Sequence, residues 1–142
     1  MEIVEFTVSG RPVPFKRHEG KGRRAWNPAE YTAWKDAVGW AAKLSIGGEP
    51  VTCDVALLLR VRLQDGRHGD LDNYIKAVND GMEGVVFVND KQVRLINAEM
   101  YIDDVPGVNV VVAVYHEEAR NMTRLKRLWL RAQRGLGKRR KK

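Results

Sequence analysis

Hydrophobic and polar positions alternate over residues 3 to 8, IVEFTV, which puts Val4, Phe6 and Val8 on one side and predicts a strand. The stretch that follows, SGRPVPFKR, is rich in Gly, Pro and cations and reads as a loop. The period then lengthens. Asn27 is a good N-cap, Pro28 suits a first helical position and Glu30 completes a capping-box spacing. Tyr31, Trp34, Val38, Ala41 and Leu44 recur at helical intervals until Gly47 and Gly48 end the helix. Residues 51 to 63 alternate again, with Cys53, Val55, Leu57, Leu59, Val61 and Leu63 on one face and Asp54, Arg60 and Arg62 on the other. This is a long strand, and Cys53 on its core face reads as a small buried apolar residue.

Leu71, Tyr74, Ile75, Val78 and Met82 then form an apolar stripe, so the spacing predicts a short amphipathic helix with Asp72, Lys76, Asn79, Asp80 and Glu83 on its outer side. An apolar run VVFV, a polar turn NDKQ and a strand with Ile96, Ala98, Met100 and Ile102 on one face come next. The turn DDVPG leads into VNVVVAVY, the expected central strand, and the last two strands read as a hairpin with a longer loop. Beyond Glu117, Met122, Leu125, Leu128 and Trp129 have helical spacing suited to docking on the body or on a partner subunit. The closing GLGKRRKK reads as a disordered basic tail. The expectation is an α/β (α+β) single domain over residues 1–116, with a mixed sheet of about four strands and helices packed on it, followed by a basic C-terminal helix and tail over 117–142.

Composition narrows the classes. At 142 residues and 44% hydrophobic the chain supports one domain with a core of its own. A single cysteine excludes an intramolecular disulfide, and His18, His68 and His116 lack zinc-ligand spacing. No apolar run approaches a membrane span, and the acidic, alternating N-terminus differs from a signal peptide, so a cytoplasmic location is expected. The net charge of +7 is uneven: of 25 basic residues 11 lie from Arg120 onward, leaving 14 against 18 acids in the body. Arg11, Lys16, Arg17, Lys21, Arg23 and Arg24 make a second basic segment, opposed there only by Glu19. Two basic flanks around an acidic centre suit a polyanion held over a metal site, and they also suit a solvated surface with a basic tail.

The acidic centre is GDLDNYIKAVNDGMEGVVFVNDKQV, residues 69–93. Asp70 and Asp72 stand where the long strand gives way to a helix. An extended lead-in points both carboxylates to one side and Leu71 to the core, and Asp90, after one helix and a short apolar run, is expected to return a third. Hard oxygen ligands without His or Cys favour Mg²⁺, with Mn²⁺ as a substitute, over zinc. Lys76, one turn beyond Asp72, is placed to contact a scissile phosphate or orient the attacking water. A metal-dependent phosphodiester hydrolase fits this set. So does a plain helix terminus: Asp70 as N-cap, Asp72 favouring the helix dipole, Asp72 and Lys76 as a surface pair, NDKQ as a polar turn.

The same stretch resembles the central motif of the RusA family of Holliday junction resolvases, in which Asp-x-Asp-Asn opens a helix, a lysine follows one turn on, and an acidic turn ends in Gln-Val. Asp70, Asp72, Asn73, Lys76, Asp80, Asp90, Gln92 and Val93 occupy matching positions, and SGRPVPFKR resembles the family's basic N-terminal segment. The similarity runs from about residue 3 to 115. It implies a Mg²⁺-dependent, homodimeric endonuclease that places paired nicks in four-way DNA junctions during recombination and repair. Asp70, Asp72 and Asp90 would then be the catalytic metal ligands and Lys76 the essential basic residue. Two departures stand out: Gly69 where many members have Pro before the first Asp, and Asn89 then Asp90 where many have two adjacent acids.

On this reading Arg11, Lys16, Arg17, Lys21, Arg23, Arg24, Arg67 and Lys76 contact DNA, and six such phosphate contacts give a salt slope of roughly −5 in log affinity. Trp26 and Phe15 read as packing residues or as platforms for an unpaired base, and His68 as a solvated loop histidine. The alternative from another class is a non-catalytic nucleic-acid-binding protein with a structural acidic helix cap. A sugar-nucleotide transferase using Asp-x-Asp would need a larger nucleotide-binding fold than this chain offers.

Overall fold

The computed structural model describes residues 2–16, 28–116 and 131. The elements are β1 (Glu2–Ser9), α1 (Pro28–Ile46), β2 (Val55–Leu63), α2 (Leu71–Met82), a 3₁₀ turn at Asp90–Gln92, β3 (Val93–Ile102) and β4 (Gly107–Val114). They form a single mixed α+β domain: one four-stranded sheet, order β1-β4-β2-β3, with two helices packed on it. No helix among the described residues is long and apolar enough to cross a membrane. The expected C-terminal helix and tail, residues 117–142, lie outside the described residues except for Arg131, whose guanidinium pairs with Glu2 and Glu5 of β1.

The expected β3–β4 hairpin does not form. β3 runs parallel to β2, so β2–α2–β3 is a crossover unit, while β4 lies antiparallel between β2 and β1. The physical reason is burial: β4, GVNVVVAV, is apolar on both faces and fits an interior position, whereas Ile96 and Ile102 of β3 are 44% and 53% exposed, as an edge strand allows. Residues 103–106 therefore pass over the end of β2, where the Asp103 N–H donates to the Leu63 carbonyl at 2.7 Å. Two strand spacings are about 10 Å, within the reach of four extended residues.

Arg62 holds this crossing. Its side chain is 0% exposed, with Nη1 donating to the Val105 carbonyl at 2.5 Å and Nε to Asn109 Oδ1 at 2.9 Å. Gly107 follows with φ +154, and a Cβ there would lie 2.5 Å from the Val8 carbonyl oxygen, so this close approach requires glycine. Arg60, its neighbour on the same face of β2, pairs with Glu99 of β3 at 2.6 Å.

The other sheet face carries the core. Phe6, Leu57, Leu59, Val61, Val110 and Val112 meet Trp34 and Val38 of α1 and Tyr74, Val78 and Met82 of α2. The buried stripe of α1 is Tyr31, Trp34, Val38 and, four residues on, Ala42; the expected Ala41 is only partly buried against the core, and the expected Leu44 is 83% exposed. The helices cross closely at Gly81, where a Cβ would lie 2.8 Å from Val38. Ser45, near the end of α1, closes the outer edge of β1: its hydroxyl donates to the Glu5 carbonyl and accepts the Glu5 N–H, both at 3.2 Å.

The long strand starts at Val55 and not at residue 51, and Cys53 is exposed in the bend before it. Its expected burial fails because the chain meets the sheet only after an isolated bridge from Val51 to Phe87.

Candidate active site

The loop between β2 and α2 is tied at both sides. The Arg67 N–H donates to Asp65 Oδ1 at 2.8 Å, and Arg11 Nη2 donates to the Arg67 carbonyl at 3.1 Å, joining this loop to the N-terminal one. The Gly69 N–H donates to the Tyr74 hydroxyl at 3.1 Å. A proline has no such N–H, so glycine at 69 exchanges a rigid ring for a hydrogen bond into the helix.

Asp70 occupies the N-cap position of α2 with φ −79 and ψ 148, and its carboxylate makes no capping hydrogen bond. Its carbonyl accepts the N–H groups of Asn73 at 3.0 Å and Tyr74 at 3.4 Å. Asp72 is exposed in the first turn. An aspartate at a helix start ordinarily caps it. Here two carboxylates stand in solvent two residues apart, and neither has a side-chain partner among the described residues.

Lys76 does not pair with Asp72. Its Nζ lies 3.3 Å from Asp80 Oδ1 and 5.0 Å from the centroid of the Phe15 ring. Asp80 Oδ2 accepts the Tyr31 hydroxyl at 2.7 Å. Burial, with the Asp80 carboxylate beside it, pushes the Tyr31 hydroxyl well above the usual tyrosine range, so it remains a proton donor. Phe15 is fixed in turn by its N–H, which donates to the Asn73 carbonyl at 3.0 Å, and by an edge-on contact with Tyr31, centroids 5.8 Å apart.

A cleft of about 620 Å³ opens beside the start of α2, lined by Arg11, Lys16, Arg67, His68, Gly69 and Tyr74 among others. Three of the expected DNA contacts thus share one concavity next to Asp70. Arg17, Lys21, Arg23, Arg24 and Trp26 lie outside the described residues. His68 is exposed, with Nδ1 2.8 Å from the Gly69 carbonyl oxygen.

Asp90 is placed elsewhere. Because β2 and β3 are parallel, the end of β2 that leads to Asp70 and the start of β3 that follows Asp90 lie at opposite ends of the unit, and nine-residue β2 is about 30 Å long. Among the described residues no group of three His, Cys, Asp or Glu is gathered to hold a metal ion. The turn around Asp90 is nevertheless rigid. Gln92 Nε2 donates to the carbonyls of Val51 at 2.9 Å and Cys53 at 2.8 Å, and its Oε1 accepts the N–H groups of Val88 and Asn89, both at 2.9 Å. Glu83 accepts the Asp90 N–H at 3.0 Å. The sequence marked Gln92 only as part of a motif; an amide in a turn carries no signal that all its hydrogen-bonding positions will be used.

A family model, endodeoxyribonuclease RusA, matches residues 5–113. The chain belongs to the RusA family. Crossover junction endodeoxyribonuclease RusA of Aquifex aeolicus (strain VF5) is 27% identical over 85 residues, which cover 58% of this chain and 68% of that protein. The RusA match takes in every candidate carboxylate, Lys76 and the whole basic N-terminal segment, and ends within β4. Membership makes the chain a nuclease acting on DNA.

Proposed function

We propose that this RusA-family chain is a structure-selective endonuclease that uses Mg²⁺, or Mn²⁺ in its place, to nick four-way DNA junctions in pairs, in recombination and repair. The observation that carries this reading is the Asp70 carboxylate, left out of the helix cap, with Asp72 also exposed, directly after Gly69 of a cleft lined by Arg11, Lys16 and Arg67. The same observation weighs against the non-catalytic alternative, which assigns Asp70 a capping bond that the helix does not have.

Asp70 and Asp72 fit a hard divalent cation: all donors are oxygen, both groups are solvent-facing, and Mg²⁺ takes one or two carboxylates and keeps several waters. The bound ion would supply charge to a scissile phosphate and lower the pKa of a water. Arg11, Lys16 and Arg67 hold and orient the phosphate backbone in the cleft. Lys76 places a positive charge on the outer side of α2, where a phosphate gathers negative charge as its bond breaks.

Asp90 serves as a ligand in a homodimer. Within one chain it stands at the far end of the crossover, so a two-fold partner is the route by which an Asp90 reaches an Asp70–Asp72 pair. Two sites related by a two-fold also match two cuts in a symmetric junction. Trp40 and Leu44, 70% and 83% exposed one turn apart on α1, give that helix apolar area for a partner to cover.

The test is cleavage of a labelled four-way junction and of linear duplex of the same sequence, with Mg²⁺ and with EDTA, by wild type and Asp72→Asn. Paired nicks in the junction alone, lost with EDTA and with the substitution, support the reading. Tight junction binding with no cleavage under any condition would leave a DNA-binding protein in its place.

A further inference from the structure

Asp72 precedes Lys76 by one helical turn and is its obvious surface partner, yet the ammonium turns the other way, to Asp80 and the Phe15 ring. An exposed pair of this spacing is weak and leaves both side chains mobile. Here the acid is held from behind. Asp80 Oδ1 faces Lys76 and Oδ2 accepts the hydroxyl of Tyr31, a residue of α1 that is 4% exposed. A turn of the Asp80 carboxyl away from Lys76 would break its 2.7 Å bond to Tyr31, so the second oxygen resists the motion that would release the ammonium.

Tyr31 is not needed as tyrosine for packing. Its ring meets Phe15 and the core, a role phenylalanine fills equally, and phenylalanine there would bury no polar group. The hydroxyl donates to the same carboxylate that holds Lys76. Phe15 closes the arrangement from the N-terminal loop, anchored by its N–H to the Asn73 carbonyl in the first turn of α2.

We propose that Tyr31 and Asp80 are positioning residues for DNA cleavage: Tyr31 fixes the Asp80 carboxylate, and Asp80, with the Phe15 ring, holds the Lys76 ammonium at one place over α2. This rests on the role given to Lys76 above. The arrangement also ties that lysine to the loop bearing Arg11 and Lys16, so the residues that hold the backbone and the residue that acts on it share one support.

The test uses the full chain: single-turnover cleavage of a four-way junction with Mg²⁺, junction binding in EDTA, and Tm, for Tyr31→Phe, Asp80→Asn and Asp80→Glu, each alone and combined with Lys76→Ala. Asp80→Asn is expected to slow cleavage about 100-fold and Tyr31→Phe about 10-fold, with junction binding within about two-fold of wild type. Asp80→Glu recovers most of the rate, and neither Tyr31→Phe nor Asp80→Asn slows Lys76→Ala further, since nothing remains to be positioned. Equal losses with and without Lys76 would make the Tyr31–Asp80 bond a staple between helices and overturn the proposal. Wild-type cleavage by Lys76→Ala is a different failure, because it removes the role of the lysine itself. Where the combined rates fall below detection, the NMR signal of the Lys76 ammonium decides: protected in wild type and lost in Tyr31→Phe supports positioning, and an unchanged signal refutes it.

Discussion

The two acidic segments at the ends of the β2–α2–β3 unit are built in opposite ways. At Asp70 and Asp72 the backbone is tied through Gly69 and the Asp70 carbonyl, while the carboxylates themselves are left in solvent. At Asp90 the neighbouring side chains do the tying: Gln92 makes four hydrogen bonds, Asn89 Oδ1 accepts the Lys91 N–H at 2.8 Å, and Glu83 takes the Asp90 N–H. The difference separates two needs that one carboxylate cannot meet. An acid used for capping is lost as a ligand, so a ligand must be oriented by groups other than its own side chain.

The largest break in this comparison is Asp72→Asn. It removes an exposed charge with no protein partner among the described residues, so Tm should change by less than the equivalent of about 0.5 kcal/mol while junction cleavage falls about 1000-fold. Single-turnover cleavage beside a thermal melt reads both. A drop in Tm with cleavage retained would return Asp72 to the helix. Next in size is Gln92→Glu, at the other end. A carboxylate cannot donate to the Val51 and Cys53 carbonyls and sets negative charge against them, at a cost of about 2–4 kcal/mol. Denaturant unfolding should show the loss, and cleavage should fall with it even though no proposed ligand has changed. Unaltered stability would mean that the turn needs no staple.

How much of this was legible in the sequence depended on how local the cause is. Alternation and helical stripes placed β1, α1 and α2, because one face of each meets the core, and a continuous apolar run marked β4 as an interior strand. The β3–β4 pairing was misread because four residues join the two strands, as in a hairpin; the deciding factor, that a doubly apolar β4 must lie inside the sheet, is a property of the whole sheet. The candidate residues Asp70, Asp72 and Lys76 were found from their spacing. The distance of Asp90 from them was not, since it follows from the parallel crossover. Nor were Tyr31 and Gln92 legible as supports, because each acts on residues far away in sequence or through backbone carbonyls.

A smaller effect is expected in the cleft that adjoins the first acidic segment. Arg67 is exposed, and its backbone already carries the bonds that shape the loop, so Arg67→Ala leaves that shape in place. Loss of one phosphate contact should lower the slope of log affinity against log salt by about 1, nearly equally for junctions of different sequence. Fluorescence anisotropy over a salt series measures this. An unchanged slope would place the DNA backbone away from the cleft and detach the basic lining from the carboxylates.

Cys53→Ser should have the smallest effect, and it separates backbone from side chain in the turn that carries Asp90. The Cys53 carbonyl accepts from Gln92 Nε2 at 2.8 Å, while the thiol is exposed and outside the strand. Serine keeps the carbonyl and adds a hydroxyl that water can satisfy, so stability should stay within about 0.5 kcal/mol of wild type. A cysteine on the core face of β2 would respond differently, because serine there would bury a hydroxyl at a cost of about 1–3 kcal/mol. Chemical denaturation of the two proteins distinguishes the cases. A neutral Cys53→Ser beside a destabilising Gln92→Glu would show that position 53 supports the acidic turn through its backbone alone, which is why the identity of its side chain gave no hint of the role.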